Sequence, residues 1–425
     1  MHDFTLPLMH SRSMGRNAKT GKTAYVAGTF DTKARELLYL KDCLEHQGIP
    51  VTTVDLSTSG GTAASAADIG ALSVATYHPM AAAAVFTGER GSAVAAMAEA
   101  FTYFIRARDD VGGIIAAGGS GATALATPAM RALPVGTPKV MVSTIASGDV
   151  RPHVGSSDIA MIYPVTDIAG LNRISRRVLA NAAGALAGMM RAEPIAGEAE
   201  KPAIGLTMFG VTTACVQQVT KLLEADYDCV VFHATGSGGQ SFETLAASGF
   251  FSGVIDVTTT EIADEIAGGV LSAGPSRLDA FARHDIPYVG STGALDMANF
   301  WGMDTVPAGL RQRLLHVHNA NVTLMRTSVM ENERIGRFIA EKLNRMKGEV
   351  RFLLPMKGVS ALDQTGKPFF DEAADRALFT TIEENFAASP GHRLVKLPHH
   401  INDPDFAKAL VEAFREIAEK ESLPA

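Results

Sequence analysis

Short apolar runs alternate with amphipathic helical stretches along most of the chain, and no other feature restricts the fold as much. "TAYVAG" (23–28) leads into "DTKARELLYLKDCLEHQG", where Leu37, Leu40, Cys43 and Leu44 recur at helical spacing. "VTTVDL" (51–56), "VGGIIAAGG" (111–119) and "PKVMVS" (138–143) follow as strand candidates, and a long helix is expected around 167–191. The alternation restarts with "AIGLTMFG" (203–210), "CVVFHATG" (229–236), "GVIDVTT" (253–259), "IPYVGST" (286–292), "VRFLLP" (350–355) and "RLVKLP" (393–398). Such a pattern specifies parallel sheets with crossover helices. A chain of 425 residues is too long for one ordinary core. The segment "AEPIAGEAEKP" is charged, contains prolines and lacks periodicity, so it reads as a linker. The expectation is an α/β protein of two Rossmann-like three-layer domains with mainly parallel sheets. It has a mobile tail over 1–22, an N-terminal domain over 23–191, a linker over 192–202 and a C-terminal domain over 203–425.

The two halves also rhyme, either by duplication or by the chance likeness of two α/β units. The strand, loop and helix of 24–48 match those of 203–224, and "GGIIAAGGSGATAL" (112–125) matches "CVVFHATGSGGQSFETL" (229–245).

Charge and cysteine content exclude several classes. The formal net charge is −7, the wrong sign for sequence-independent nucleic-acid binding, which needs clustered Lys and Arg. Cys43, Cys215 and Cys229 stand apart with no C-x-x-C pair, so neither a disulfide framework nor a thiolate zinc site is expected. No run approaches the ~20 apolar residues of a membrane helix, and residues 1–22 do not form a secretory signal. The protein is expected to be cytoplasmic, with no membrane and no nucleic-acid partner.

Chemistry in open α/β sheets gathers where strands end and helices begin. Glycine there lets a ligand approach the backbone, and the following helix offers unpaired N–H groups and a partial positive charge. Gly118, Gly119, Ser120 and Gly121 form one such turn; Gly236, Ser237, Gly238, Gly239 and Gln240 form another. Neither has the Gly-Lys-Ser/Thr ending of a Walker A loop, and neither has the G-x-S-x-G spacing of a nucleophile elbow. Each is either an anion cradle or a tight structural corner. In "GTFDTK" (28–33), Asp31 and Thr32 either cap a helix or join a ligand site. In the second reading the hydroxyls of Thr29 and Thr32 meet phosphate or Mg²⁺, Asp31 binds the ion, and Lys33 meets phosphate as a point charge.

Three further residues are candidates for acid–base or anion chemistry. His233 ends an apolar run beside the second glycine turn, as either an acid–base group or a hydrogen-bonded structural histidine. Glu261 either completes a Thr258-x-x-Glu261 capping box or presents a carboxylate to a cleft. Lys357 lies in the polar loop "LPMKGVSALDQTGKPFFD" after a strand, where it is either a solvated lysine or an anion contact.

Long stretches, among them "AGTFDTK", "GGSGATAL", "IGLTMFGVTTACV", "VFHATGSGGQSFE", "STGALDMANFWG" and "HVHNANVTLMRTSVMEN", closely resemble one family. It is the family of uncharacterised bacterial and plant proteins that includes the N-terminal part of the tomato mosaic virus resistance protein. The resemblance runs from about residue 23 to the C-terminus. It implies two α/β subdomains, a homodimer, and binding of ATP with Mg²⁺. In the plant member, this region binds and inhibits a viral replication protein. It supplies no catalytic residue list. The leading expectation is a nucleotide-binding enzyme acting on a small metabolite, with ATP phosphates on Gly118–Gly121 and the Thr29–Lys33 loop and with His233, Glu261 and Lys357 as its catalytic candidates. A second cleft with His233, the 236–240 turn, Glu261 and Lys357 is expected to take a small carboxylated or phosphorylated metabolite. Two alternatives stand beside it: a non-catalytic dimeric binding protein stabilised by ATP, and a nucleotide-independent hydrolase or lyase using the second cleft.

Overall fold

The computed structural model describes residues 22–60, 66–193 and 201–421. The expected tail and linker fall for the most part outside them. The chain divides into two compact units, Met1–Pro194 and Ile195–Ala425.

In the N-terminal unit the order is β1 (Thr23–Gly28), α1 (Phe30–His46), β2 (Val51–Asp55), α2 (Ala71–Ala75), α3 (Arg90–Arg106), β3 (Val111–Gly118), α4 (Ser120–Ala132), β4 (Lys139–Ser143), α5 (Arg151–Val154), β5 (Ala160–Ile162) and α6 (Arg173–Arg191). The five strands pair in parallel in the order β2-β1-β3-β4-β5. Successive side chains of a strand face opposite ways, and the strands here are apolar on both faces. Ala24, Val26, Ile115 and Val142 pack with Leu37, Leu40 and Leu186 of α1 and α6. Tyr25, Ala27, Ile114 and Met141 pack with Met97, Phe101 and Leu125 of α3 and α4. Helices on both faces of a parallel sheet make the three layers.

The C-terminal unit follows the same plan with additions. Its elements are β6 (Ala203–Met208), α7 (Thr213–Leu223), β7 (Asp228–His233), α8 (Ser237–Ala247), β8 (Val254–Thr258), α9 (Thr260–Ala267), α10 (Asp279–Arg283) and β9 (Tyr288–Gly293). Then come β10 (Met297–Phe300), β11 (Leu315–Asn319), β12 (Val322–Arg326), α11 (Val329–Leu343), β13 (Val350–Pro355), α12 (Glu372–Asn385), β14 (His392–Leu397) and α13 (Pro404–Glu421). The parallel sheet runs β14-β13-β9-β8-β6-β7. One face packs on α7 and α13 through Val216, Phe406 and Phe414; the other packs on α8, α11 and α12 through Phe242, Ile335 and Leu378. Between β9 and α11 a small antiparallel sheet, β10-β12-β11, is inserted. The alternation did not announce this sheet or the three-residue β5, because β5 and β10 are short and β11 and β12 carry polar residues on both faces.

The topology also corrects one half of the internal rhyme. Both parallel sheets place their first three strands in the order second-first-third, so β1 corresponds to β6. The strand before Gly118–Gly121 is β3, third in its unit and central, whereas the strand before Gly236–Gln240 is β7, second in its unit and at the sheet edge. The two Gly-Ser-Gly turns are therefore not equivalent positions. The counterpart of 118–121 is the start of α9, at Thr259–Glu261.

Candidate functional site

In a sheet ordered β2-β1-β3-β4-β5 the chain reverses direction of travel between β1 and β3, and the crevice at that switch point is where such sheets bind ligands. Two of the polar segments singled out above end there. Ala27 pairs with Ala116, so the Thr29–Lys33 loop after β1 lies beside the Gly118–Gly121 turn after β3. Gly118 pairs in turn with Ser143, which brings the end of β4 alongside.

The turn after β3 is open. A Cβ on Gly118 would stand 2.5 Å from that of Ala122, and φ there is +156°, so only glycine keeps this path. Gly119 is the N-cap residue of α4 and has no side chain to offer. Among the described residues, no group accepts from the amides of Ser120, Gly121 or Ala122. Arg90, exposed at the start of α3, brings its Nη2 to 3.9 Å from where a Gly121 Cβ would be. Thr123 Oγ1 and Ser143 Oγ sit 2.7 Å apart beneath the turn. A thirteen-residue helix thus points free N–H groups and a guanidinium at one small volume.

The neighbouring loop is built differently. Thr29 is the N-cap residue of α1, but its side chain makes no cap bond. The first amides of α1 go instead to groups at the end of β2. Phe30 N donates to Asp55 Oδ1 (3.1 Å) and Asp31 N to Ser57 Oγ (3.1 Å). Capping by Asp31 and Thr32 is therefore not how this helix starts. Thr29 and Thr32 share a hydroxyl contact of 2.8 Å, and Asp31 and Thr32 are exposed. Lys33 is turned away from the crevice, because its ammonium donates to the carbonyl of Ile168.

The turn after β7 is filled from within. Glu261 Oε1 accepts from Gly236 N (2.7 Å) and Gly239 N (3.0 Å). The same carboxylate takes Arg277 Nε on Oε2 at 3.0 Å. Arg277 is itself buried, paired also with Asp256 (2.9 Å) and Glu243 (3.1 Å). Burial pushes the Glu261 carboxyl above its ordinary value, with Arg277 and the two amides opposing that rise. A Cβ on Gly239 would collide with this carboxylate, and one on Gly238 with the carbonyl of His233. The anion predicted for the corner is thus the protein's own. This corrects two expectations: Glu261 does not face a cleft, and it does not close a capping box. Helix α9 starts after Thr259, which puts Glu261 at the second helical position. Ser237 and Gln240 remain exposed at the rim, and Gln240 Nε2 donates to Ala273 O at 3.3 Å.

The three acid–base candidates are not brought together. His233 ends β7 and Lys357 follows β13, four inter-strand steps away through β6, β8 and β9. At the usual strand spacing that is about 19 Å. His233 stacks on Phe209 with ring centroids 5.5 Å apart, and burial holds its pKa below the ordinary value. Its ring nitrogens have no partner among the described residues. Lys357 is exposed.

The structure also assembles residues that the sequence did not single out. Around Arg326, at the end of β12, gather Asp296, Asp363 and Asp375, each less than one-tenth exposed. Arg326 Nη2 reaches Asp375 Oδ1 at 2.7 Å and Asp363 Oδ1 at 3.8 Å. Ser360 Oγ donates to Asp296 Oδ2 at 2.7 Å, and Asp363 Oδ2 accepts from Val359 N at 2.9 Å. Asp264 is buried with Asn299, whose Nδ2 donates to it at 2.6 Å. The local signal for Asp296 and Asp363 was their place in glycine-bearing loops after strands; Asp264 and Asp375 lie within α9 and α12 and carried no such signal. No group of three or more His, Cys, Asp or Glu side chains suited to a metal ion occurs among the described residues. No helix among them is long and apolar enough to cross a membrane.

Comparison with known proteins agrees with this division. The model of the N-terminal domain of the uncharacterised protein family UPF0261 matches residues 22–194, and that of its C-terminal domain matches residues 201–418. A UPF0261 protein of Rhizobium meliloti is 55% identical over 398 residues, covering 93% of this chain and 99% of that protein. One from Clostridium tetani is 44% identical, with 94% and 100% covered. The ToMV resistance protein Tm-1(GCR237) of Solanum lycopersicum is 41% identical over 420 residues, which cover 93% of this chain and 56% of the tomato protein. The chain belongs to the uncharacterised protein family UPF0261.

Proposed function

We propose that the N-terminal unit binds a phosphate-bearing ligand, Mg-ATP being the one the family resemblance implies, at the β1/β3 switch point. One contrast carries this reading. The first amides of α1 are taken by Asp55 and Ser57, and those at the α8 corner by Glu261, while the α4 corner is left open beside Arg90. Phosphate oxygens would lie on the amides of Ser120–Ala122, with Arg90 at their side. The donor set of the adjoining loop fits Mg²⁺, which takes hard oxygen ligands and keeps several waters. The Asp31 carboxylate and the Thr29 and Thr32 hydroxyls are such oxygens. Lys33 has no part in this reading, since its ammonium is already bonded.

Titration calorimetry of Mg-ATP against wild type and Gly121→Asp tests it. A carboxylate at the second position of α4 would sit at the positive end of the helix and so offset the loss of glycine, while repelling phosphate. Loss of binding with an unchanged or higher melting temperature is the expected result. Normal binding by this variant would place the ligand elsewhere.

A second reading, ligand binding without turnover, draws support from the distance between His233 and Lys357 and from the Glu261 carboxylate being taken by Arg277 and two amides. On that reading Mg-ATP raises the melting temperature by mass action and is recovered intact. Release of phosphate that falls in His233→Ala would restore the enzymatic reading.

A further inference from the structure

Between β13 and α12 the chain runs across the carboxyl ends of neighbouring strands. Just past β9, Ala294 N donates to Val359 O at 2.9 Å; just past β6, Ala361 N donates to Val211 O at 3.0 Å. β6 is three strands from β13, so this strap spans about 14 Å of sheet edge and passes the ends of β9 and β8. β6 is the first strand of its sheet, with β7 on one side and β8 on the other, so the β6/β8 interval is the switch point of the C-terminal unit. The corresponding point of the N-terminal unit is open at α4. Here Thr258, Thr259 and Thr260 have no exposed surface.

Most of the strap faces solvent: Ala361, residues 364–368 and Phe370 are all exposed. Its large buried apolar side chains are Val359 and Phe369, the latter packed with Val211, Ala294 and Met297. The rest of its hold is polar. Ser360 Oγ donates to Asp296 Oδ2 at 2.7 Å, and Arg326 Nε donates to Phe369 O at 2.7 Å.

That hold is short of positive charge. Asp363 of the strap, Asp296 of the β9–β10 turn and Asp375 of α12 surround the single guanidinium of Arg326 from β12. The other basic group facing them is His400, after β14, whose Nε2 lies 2.8 Å from Ser360 O. Among the described residues, no hydrogen bond reaches Asp296 Oδ1 or Asp363 Oδ1. A buried carboxylate oxygen without a donor is costly while the group is charged, and a proton removes that cost. A protonated Asp375 also donates to Asp363. Burial raises all three acids accordingly. Lifting the strap would bring Asp363 into water and hydrate Asp296 and Asp375, so the lifted form sheds protons that the closed form keeps.

We propose that residues 358–371 are a proton-operated strap, closed over the β6/β8 edge while the Asp296, Asp363 and Asp375 cluster holds protons and lifted from it when they leave. The closed form binds more protons than the lifted one, so closure is favoured at low pH and lost as pH rises. Lifting uncovers the threonine hydroxyls at the start of α9.

Hydrogen–deuterium exchange on the full chain between pH 5 and 8, read by mass spectrometry and corrected for the intrinsic rate at each pH, tests this. Protection of peptides covering 358–371 and 209–213 is expected to fall as pH rises, about tenfold per pH unit for each proton released. Peptides from β8, β9 and the N-terminal unit should keep theirs. Asp375→Asn and Asp296→Asn each replace a group that needs a proton by one that does not, and each should make the strap's profile shallower. Phe369→Ala removes an apolar anchor instead and should lower strap protection by the same factor at every pH. Strap protection that is level from pH 5 to 8, or as steep in both acid variants as in wild type, overturns the proposal. So does protection lost only together with that of β8 and β9, since the acids would then act on the unit as a whole.

Discussion

Gly121 and Gly239 read alike in the sequence, one closing a Gly-Ser-Gly turn into a helix and the other following one, yet their surroundings differ. A Cβ on Gly121 would meet only Arg90 Nη2, at 3.9 Å. A Cβ on Gly239 would enter the carboxylate of Glu261, which is held by Arg277 and cannot swing aside without breaking that pair. Gly239→Ala is therefore expected to destabilise the protein by about 1–3 kcal/mol, the range for overpacking a buried site. Gly121→Ala should be neutral or stabilising by up to ~1 kcal/mol, since alanine is the better helix former. Urea unfolding of both variants checks the pair; equal effects would mean that the two corners are equally open or equally filled. The same comparison explains why the glycine turns could be located in the sequence but not ranked. The residue that fills one of them, Glu261, is 22 positions from Gly239 and reaches it only because β8 lies one strand beyond β6.

At the scale of elements, the loop between β13 and α12 is locked to the inserted antiparallel sheet by acids. Gly358, with φ of +120°, turns the chain where a Cβ would strike the carbonyl of Asp363. Asp296, Asp363 and Asp375 then share one guanidinium, that of Arg326. His400 packs against the same loop, its ring nitrogens meeting Asn402 N and Ser360 O. Three buried carboxylates against one cation leave an excess that protons must relieve. Burial accordingly pushes Asp296 up to about 7 and Asp375 up to about 8, each raised further by its neighbouring acid, and Asp363 rises as well. Asp264, buried beside Asn299, goes up to about 7. An unfolded aspartate titrates near ~3.9. Raised folded values mean that these groups contribute their full stabilisation below about pH 4 and lose it progressively as pH rises to about 8. Unfolding free energy measured in urea should fall across that window, by up to ~1.4 kcal/mol per pH unit for each proton retained. Asp375→Asn, which keeps an acceptor for Arg326 and needs no proton, should flatten the slope by one proton. A profile that is level between pH 5 and 8, or a slope the variant leaves unchanged, would contradict proton retention.

At the scale of the whole molecule, each unit carries its own parallel sheet with an apolar core on either face. Tyr25, Phe101 and Leu186 are buried among residues of the first unit; Phe242, Tyr288 and Phe414 are buried among residues of the second. Segments with complete cores fold as independent domains. Fragments spanning 22–193 and 201–421 should each show a cooperative thermal transition. The first should retain Mg-ATP binding and the second should lack it. A first fragment that folds but does not bind would require that the site draw residues from outside it.

The sequence by itself determined the α/β class, the placing of most parallel strands, and the identity of the turns at their ends. These follow from period-2 and period-3.6 apolar patterns and from glycine, which act within a few residues. Lys33 and Glu261 mark the limit of that reading. Both have the right chemistry at the right kind of loop, yet one is spent on the Ile168 carbonyl and the other on two amides and an arginine. Only the tertiary structure decided which corner stays open, because strand order selects the distant side chains that arrive at each helix start. A buried acceptor or donor is satisfied by whatever group that order brings within about 3 Å, and local sequence holds no record of it.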